Sequence, residues 1–281
     1  QLLAIREFEG RSYAADIREL ASAVKAGLPP VCITGEMDGS RSWADFLRDG
    51  GHVAHHSLQH AAAAVGAADP ALIVYTSGST GRPKGAVLSQ YGLVNGAWMQ
   101  TTHLAVQFPS MPVSFPINHV ACVADTCATT LMMGGKIVFQ ERFDPEASLR
   151  AVQDERCTIL GGVPTMLQMQ LDHPSFGDYD LSSLQLVAWG GAAMPLDCVT
   201  RLQRVCGRLM SLYGLTETSA NIVFGDEQDG LERLARSIGR PDPRVRCRVV
   251  DDGGRICGAG VQGALQFNSD FFFLGYWNRE R

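Results

Sequence analysis

The segment YTSGSTGRPKG (75–85) has the residue types of a loop that binds phosphate. Glycines let backbone N–H groups come close to an anion, and a lysine supplies a point charge that suits terminal phosphates. The residues that we predict to bind nucleotide here are Thr76, Ser77, Gly78, Ser79, Thr80, Gly81 and Lys84. The apolar run ALIVYTS (71–77) leads into this loop, and its composition predicts a fully buried strand.

The order of residues in this loop excludes the better-known phosphate loops. A Walker A loop ends in a lysine followed by Ser or Thr at the start of a helix. Here Lys84 stands between Pro83 and Gly85, and the proline disfavours helical backbone angles at Arg82, the residue before it. A GxGxxG dinucleotide fingerprint does not fit either. A P-loop nucleotide hydrolase is therefore disfavoured.

A second segment, LYGLTE (212–217), supplies the groups that the loop lacks. Tyr213 offers an aromatic face for a nucleobase, and we predict that Gly214 beside it also belongs to the nucleotide-binding residues. Thr216 offers a hydroxyl, and Glu217 offers the carboxylate oxygens that Mg²⁺ prefers alongside phosphate oxygens. Taken alone, the segment is also compatible with an ordinary strand end.

Two further segments carry candidate binding residues. The small residues of WGGAAMP (189–195), namely Gly190, Gly191 and Ala192, allow close packing of a ligand, and they equally suit a tight strand-to-helix turn. In FPINHV (115–120), His119 is a candidate for contact with a carboxylate substrate, although a lone histidine is more often structural.

Composition sets the class of protein. The formal charge of −5 argues against a broad basic surface for nucleic acid. The eight cysteines include no CxxC pair, so we predict reduced thiols, most of them buried, in a cytoplasmic protein. The longest apolar stretch, 120–139, is interrupted by Asp125 and Lys136 and does not predict a membrane span. The histidines of 52–60 have helical spacing that suits a metal, but a solvated helix or linker is the favoured interpretation.

Strand and helix patterns alternate along most of the chain, which predicts an α/β fold with doubly wound, mostly parallel sheets and helices on both faces. The predicted strands are 1–5, 30–34, 71–77, 112–116, 136–140, 158–163, 184–191 and 208–217; the predicted helices are 12–27, 41–50, 93–106, 120–135, 144–157, 164–173 and 195–207. We predict a partial α/β subdomain at 1–66, a nucleotide-binding subdomain at 67–225, and a small β-rich, barrel-like subdomain at 226–281.

The motifs together resemble the adenylate-forming superfamily of acyl-CoA synthetases, peptide-synthetase adenylation domains and luciferases. YTSGSTGRPKG resembles its phosphate-binding signature and LYGLTE its YGxTE signature, while WGGAAMP, FPINHV, SIGRP (237–241) and GYWNRE (275–280) resemble further landmarks. The last of these lacks the proline that usually precedes the glutamate. The resemblance extends over essentially the whole sequence.

The resemblance implies that ATP and a carboxylic acid give an acyl-adenylate and pyrophosphate, followed by thioester formation with coenzyme A. It implies catalytic roles for Lys84, His119, Thr216 and Glu217, with Glu217 as the Mg²⁺ ligand. The segments are most like those of fatty-acyl-CoA synthetases, and an apolar pocket built from Val163, Met166, Gly191, Ala192 and Ala193 would suit a fatty or aryl acid. Asp125 lies too late in the chain for the amine-binding aspartate of peptide synthetases.

The family's ribose-binding aspartate and its C-terminal domain with a catalytic lysine are expected beyond Arg281, so we expect residues 1–281 alone to be an incomplete ligase. Two alternatives stay open: an adenylating enzyme that passes the acyl group to a carrier protein or to oxygen chemistry, and a non-catalytic ATP-binding homologue. The resemblance also allows a homodimer, which nothing in the sequence specifies.

Overall fold

The structure is a computed structural model that describes residues 2–23, 29–76 and 82–278. Its internal contacts divide the chain into two units, Gln1–Gly66 and Ala67–Arg281. The predicted residues Ser77, Gly78, Ser79, Thr80 and Gly81 of the phosphate loop lie outside the described residues. The predicted subdomain boundary at residue 226 stays a prediction.

The first unit contains a small parallel sheet. Its strands are β1 (Leu3–Ile5), β2 (Glu7–Phe8), β3 (Arg11–Ser12), β4 (Val31–Thr34) and β5 (Arg41–Ser42); its helices are α1 (Ala14–Ala23), α2 (Trp43–Gly50) and α3 (His55–Ala63). β4 pairs in parallel with β1 and with β5, as the predicted β-α-β pattern requires. The histidine-rich segment forms an exposed helix that begins at His55, so His52 lies before it.

The second unit is larger and contains the remaining elements. Its strands are β6 (Pro70–Thr76), β7 (Lys84–Ser89), β8 (Ser110–Val113), β9 (Lys136–Phe139), β10 (Ile159–Gly162), β11 (Leu186–Gly190), β12 (Leu209–Gly214), β13 (Asn221–Asp226), β14 (Arg240–Pro241), β15 (Arg246–Val250), β16 (Ala264–Asn268) and β17 (Gly275–Tyr276). Its α-helices are α4 (Gln90–Leu104), α5 (Thr129–Met132), α6 (Pro145–Asp154), α7 (Pro164–Leu171), α8 (Leu196–Val205) and α9 (Leu231–Arg236).

The central sheet has the strand order β10-β11-β12-β13-β14. The first three strands are parallel, and β13 and β14 continue the sheet antiparallel. Successive side chains of a strand point to opposite faces. One face contributes Leu160, Val187, Trp189 and Leu209 to a core with α6, α7, α8 and α9. The other face contributes Ile159, Leu186, Ala188 and Met210 to a core with α4. Helices on both faces are therefore confirmed.

The strand that precedes the phosphate loop differs from its prediction. β6 pairs antiparallel with β7, a strand that the sequence pattern did not reveal, in a sheet with the order β17-β7-β6. Only Val74 of β6 is buried, so the prediction of a fully buried strand at 71–77 is wrong. The reason is that one face of this strand is open to solvent: Ile73 and Tyr75, which alternate with Val74, are exposed, whereas β7 is almost wholly buried on both faces.

Two other elements depart from the sequence pattern. The helix predicted at 120–135 is a π-helix, Ala121–Ala128, followed by the short helix α5. The C-terminal residues contain the antiparallel pair β15–β16, as the predicted β-rich unit requires, and the turn at DDGG leads from β15 to an isolated antiparallel bridge between Val250 and Ile256; the described residues contain no closed barrel. The eight cysteines all lie in the described part of the chain and are free thiols, five of them buried, as predicted.

Candidate active site

A cavity of about 430 Å³ opens where the parallel strands of the central sheet end. The carboxyl ends of β10, β11 and β12 supply Gly162, Gly190 and Gly214 to its lining. Such a crevice at the carboxyl ends of parallel strands is where open α/β sheets bind ligands. Most of the lining area is apolar, with contributions from Met111 and Phe115.

The cavity brings together residues predicted from four separate segments. These are Thr76, His119, Gly190, Gly191, Gly214, Thr216 and Glu217. A second cavity of about 340 Å³ shares Gly191 and Gly214 with the first and is also lined by Ala192 and Tyr213. Of the residues predicted for an apolar acid pocket, Val163 lines the first cavity, Ala193 lines the second, and Met166 lines neither.

The phosphate loop is closed by a β-hairpin. Thr76 ends β6 directly opposite Lys84, which begins β7, and the Thr76 hydroxyl lies 3.5 Å from the Lys84 carbonyl oxygen. Lys84 thus opens a strand rather than a helix, which agrees with the exclusion of a Walker A loop. The hairpin holds a hydroxyl and an ammonium group at the two ends of the loop.

Lys84 and Glu217 meet through Tyr276, a residue that we did not predict to belong to the site. The Tyr276 hydroxyl donates a hydrogen bond of 2.6 Å to Glu217 Oε1. The Lys84 ammonium lies over the Tyr276 ring, 5.4 Å from its centroid, which is cation–π range. Pairing of β17 with β7 brings Tyr276 here, opposite Ala86. The only sequence signal was its membership of GYWNRE.

A tight turn presents Thr216 and Glu217. Residues Thr216–Thr218 form one 3₁₀ turn, in which the Leu215 N–H donates to Thr218 Oγ1 at 2.8 Å. The strand before the turn ends in Gly214, where an added Cβ would lie 2.4 Å from the Ala220 carbonyl oxygen. No other residue type fits this backbone approach, which explains the glycine in LYGLTE.

His119 has a defined hydrogen-bonding state. Its Nδ1 accepts the Ala121 backbone N–H at 3.1 Å, so in the neutral ring the hydrogen resides on Nε2. The side chain lies just before the π-helix and is exposed at the cavity that it lines. His119 therefore offers an N–H donor to an oxygen atom of a bound ligand.

A second set of polar residues in the cavity escaped the sequence reasoning. Gln100, Asp125, Thr126, Thr130 and Asn221, hereafter the polar patch, come from α4, the π-helix, α5 and β13. Asp125 Oδ1 accepts the Asn221 backbone N–H at 2.9 Å. Burial, opposed by hydrogen bonds from Asn221 and Gln100, raises the pKa of Asp125 from 3.8 to about 7. The acidic interruption of an apolar stretch was the only signal in the sequence.

The donor set fits a magnesium ion that is held mainly by its substrate. Glu217 supplies carboxylate oxygens beside Lys84 and Tyr276, and Mg²⁺ takes one or two carboxylates together with phosphate oxygens and waters. Across residues 2–23, 29–76 and 82–278, no group of three or more His, Cys, Asp or Glu side chains is placed to hold a metal alone.

Comparison with known proteins identifies the family. The profile of the AMP-binding enzymes matches residues 10–277, and the chain belongs to this family, the adenylate-forming superfamily. This confirms what the phosphate loop and LYGLTE indicate. No helix in the described part of the chain is long and apolar enough to cross a membrane.

Curated relatives carry ligase names. The feruloyl-CoA synthase of an Amycolatopsis species is 35% identical over 220 residues, which are 76% of this chain and 44% of the relative. The mitochondrial medium-chain acyl-CoA ligase ACSF2 of Danio rerio is 29% identical over 294 residues, which are 98% of this chain and 48% of the relative. The chain thus spans a little under half the length of these two relatives.

Solved structures confirm the fold. The N-terminal domain of FACL13 from Mycobacterium tuberculosis, bound to an inhibitor, matches with a TM-score of 0.79 at 23% identity. The match covers 99% of this chain and 72% of the FACL13 chain. The luciferase-like enzyme of Zophobas morio matches with a TM-score of 0.80 at 20% identity and covers 94% and 62% of the two chains.

Proposed function

We propose that the protein activates a carboxylic acid with ATP, releases pyrophosphate, and transfers the acyl group to coenzyme A. The observation that carries the proposal is the single cavity that gathers Thr76, His119, Thr216 and Glu217 beside an apolar lining. In the first step, a carboxylate oxygen of the acid bonds to the α-phosphorus of ATP, and the bond to the pyrophosphate leaving group breaks. This reaction needs positioned reactants and neutralised charge rather than a nucleophile from the protein.

The residues divide this work between them. Thr76 and Lys84, at the two ends of the loop, bind the β- and γ-phosphates together with Ser77, Gly78, Ser79, Thr80 and Gly81. The His119 Nε2–H donates to an oxygen of the acid or of the α-phosphate and so orients the attack. Glu217 would hold Mg²⁺, which would supply positive charge to the phosphates, and Tyr276 fixes one oxygen of that carboxylate.

The two cavities divide the substrates. The second cavity, with Tyr213 beside Gly191 and Ala192, accepts adenine, because an aromatic face and small residues suit a flat base. The first cavity accepts the acid. Its volume falls in the range of sites for small ligands, and its apolar lining suits a fatty or aryl body. The names of relatives, which include a feruloyl-CoA synthase, an indoleacetate–CoA ligase and a medium-chain acyl-CoA ligase, support these substrate classes.

The test is ATP–pyrophosphate exchange by the intact gene product that contains residues 1–281, with Mg²⁺ and a panel of aryl and fatty acids. Exchange that depends on the acid supports the adenylation step. Adding coenzyme A should then release an acyl-CoA thioester that mass spectrometry detects. Exchange without a thioester would assign the acyl group to another acceptor, such as a carrier protein, and ATP binding without exchange would show a non-catalytic homologue.

A further inference from the structure

The polar patch is unexpected in a cavity that binds the apolar body of an acid. Its members come from four elements, none of which carries the phosphate loop or the LYGLTE turn. A polar group that is removed from water costs free energy unless it is hydrogen-bonded, and an ionisable group costs more. Any polar atom of the patch that has no partner in the protein therefore needs one once a ligand displaces water from the cavity.

The amide side chains of the patch are already ordered. Asn221 Nδ2 donates to Gln100 Oε1 at 3.0 Å, and Gln100 Nε2 donates to Thr129 Oγ1 at 2.9 Å. Gln100 is almost wholly buried, and it bridges α4 to α5 and β13. This network fixes the groups around Asp125, so the carboxyl group has a set position.

Asp125 is the member that lacks an ion-pair partner. Its Oδ1 accepts the Asn221 N–H, and no positively charged side chain contributes to its pKa among the described residues. The carboxyl group lies deep in the protein and keeps some accessible surface, which faces the cavity that it lines. A carboxyl group offers about four acceptor positions, so it has capacity for a ligand.

We propose that the acid activated by this protein carries a hydroxyl group on its apolar body, and that this hydroxyl donates a hydrogen bond to Asp125. The inference rests on the proposed function and adds the class of acid. A hydroxyl both donates and accepts, which suits a patch that combines one carboxyl with Thr130 and the amides of Gln100 and Asn221. An ammonium group would need several acceptors and has no use for these donors.

The experiment compares matched acids by ATP–pyrophosphate exchange in the intact gene product. The pairs are para-hydroxyphenylpropanoate against phenylpropanoate, para-hydroxybenzoate against benzoate, and ω-hydroxyoctanoate against octanoate, with ω-aminooctanoate as the cationic probe. We expect kcat/KM for the hydroxylated member of the accepted pair to exceed that of its deoxy partner by about 10- to 100-fold. Asp125→Leu should remove this ratio chiefly by lowering the rate with the hydroxylated acid.

Two further variants separate specificity from folding. Asp125→Asn keeps the shape and an acceptor oxygen, so it should reduce the ratio without abolishing exchange. Asp252→Asn, an equivalent change at an exposed aspartate outside the two cavities, should leave the ratio unchanged. Equal rates for both members of every accepted pair, or a preference for ω-aminooctanoate, would overturn the inference while the proposed function stands. The absence of exchange with every acid tested would overturn the proposed function itself.

Discussion

Replacing Asp125 by Asn should change how the stability of the protein depends on pH. Burial raises the pKa of Asp125 from 3.8 to about 7 in the folded state. A carboxyl group whose folded pKa is raised holds its proton more tightly when folded, so ionisation destabilises the fold. The cost is absent below about pH 4, grows as the pH rises toward 7, and is constant above that. Asn cannot ionise and avoids the cost.

The magnitude follows from the two pKa values. One pKa unit corresponds to about 1.4 kcal/mol, so the shift from 3.8 to about 7 costs up to about 4 kcal/mol at pH 8. At pH 5 the carboxyl group is mostly ionised in the unfolded chain but protonated in the folded one, and the cost to stability is roughly 1.7 kcal/mol. The free energy of unfolding of Asp125→Asn relative to the unchanged protein should therefore rise by roughly 2.5 kcal/mol between these pH values. This figure is an upper limit, because water that enters the cavity solvates the carboxylate.

The assay is urea unfolding at about pH 5 and about pH 8, followed by tryptophan fluorescence, to which the buried Trp189 contributes. Subtracting the free energy of unfolding at one pH from that at the other cancels any effect of the substitution that does not depend on pH. Asp252→Asn is the control, because that side chain is exposed and its substitution should leave the pH dependence unchanged. An Asp125→Asn protein with the same pH dependence as the unchanged protein would refute the raised pKa and the burial of this carboxyl group.

The other predictions concern the phosphate side of the site. Lys84→Ala should raise the KM for ATP by about 10- to 100-fold through the loss of a charged contact, measured by pyrophosphate exchange; an unchanged KM would place this ammonium away from the phosphates. Glu217→Gln should raise the Mg²⁺ concentration needed for half-maximal exchange and lower the maximal rate; full adenylation at ordinary Mg²⁺ would contradict the metal assignment. Tyr276→Phe should also raise the Mg²⁺ concentration needed for half-maximal exchange, by about 5- to 30-fold, because it removes the 2.6 Å hydrogen bond to Glu217. An effect on KM for the acid alone would disprove that role.

The sequence was most informative at residues where local chemistry and local geometry coincide. The order Pro83-Lys84-Gly85 was enough to disfavour a Walker A loop, and in the structure Lys84 begins a strand rather than a helix. Gly214 was predicted as part of LYGLTE, and the structure supplies the physical reason for a glycine there, because the backbone around it admits no Cβ. Parallel pairing of β10, β11 and β12 followed from short apolar strands separated by helices, since such connections cross from one end of a sheet to the other.

Only the tertiary structure decided the contacts between residues that lie far apart in the chain. Tyr276 meets Glu217 across 59 residues, and Asp125 meets Asn221 across 96. Periodicity cannot reveal such pairs, because it reports which face of an element is apolar and not which other element covers it. The π-helix is a case in point: its apolar residues read as an ordinary helix, and only the packed structure shows that it delivers Asp125 to the cavity. The sequence alone therefore determined the class of chemistry, while packing determined which polar groups line the cavity.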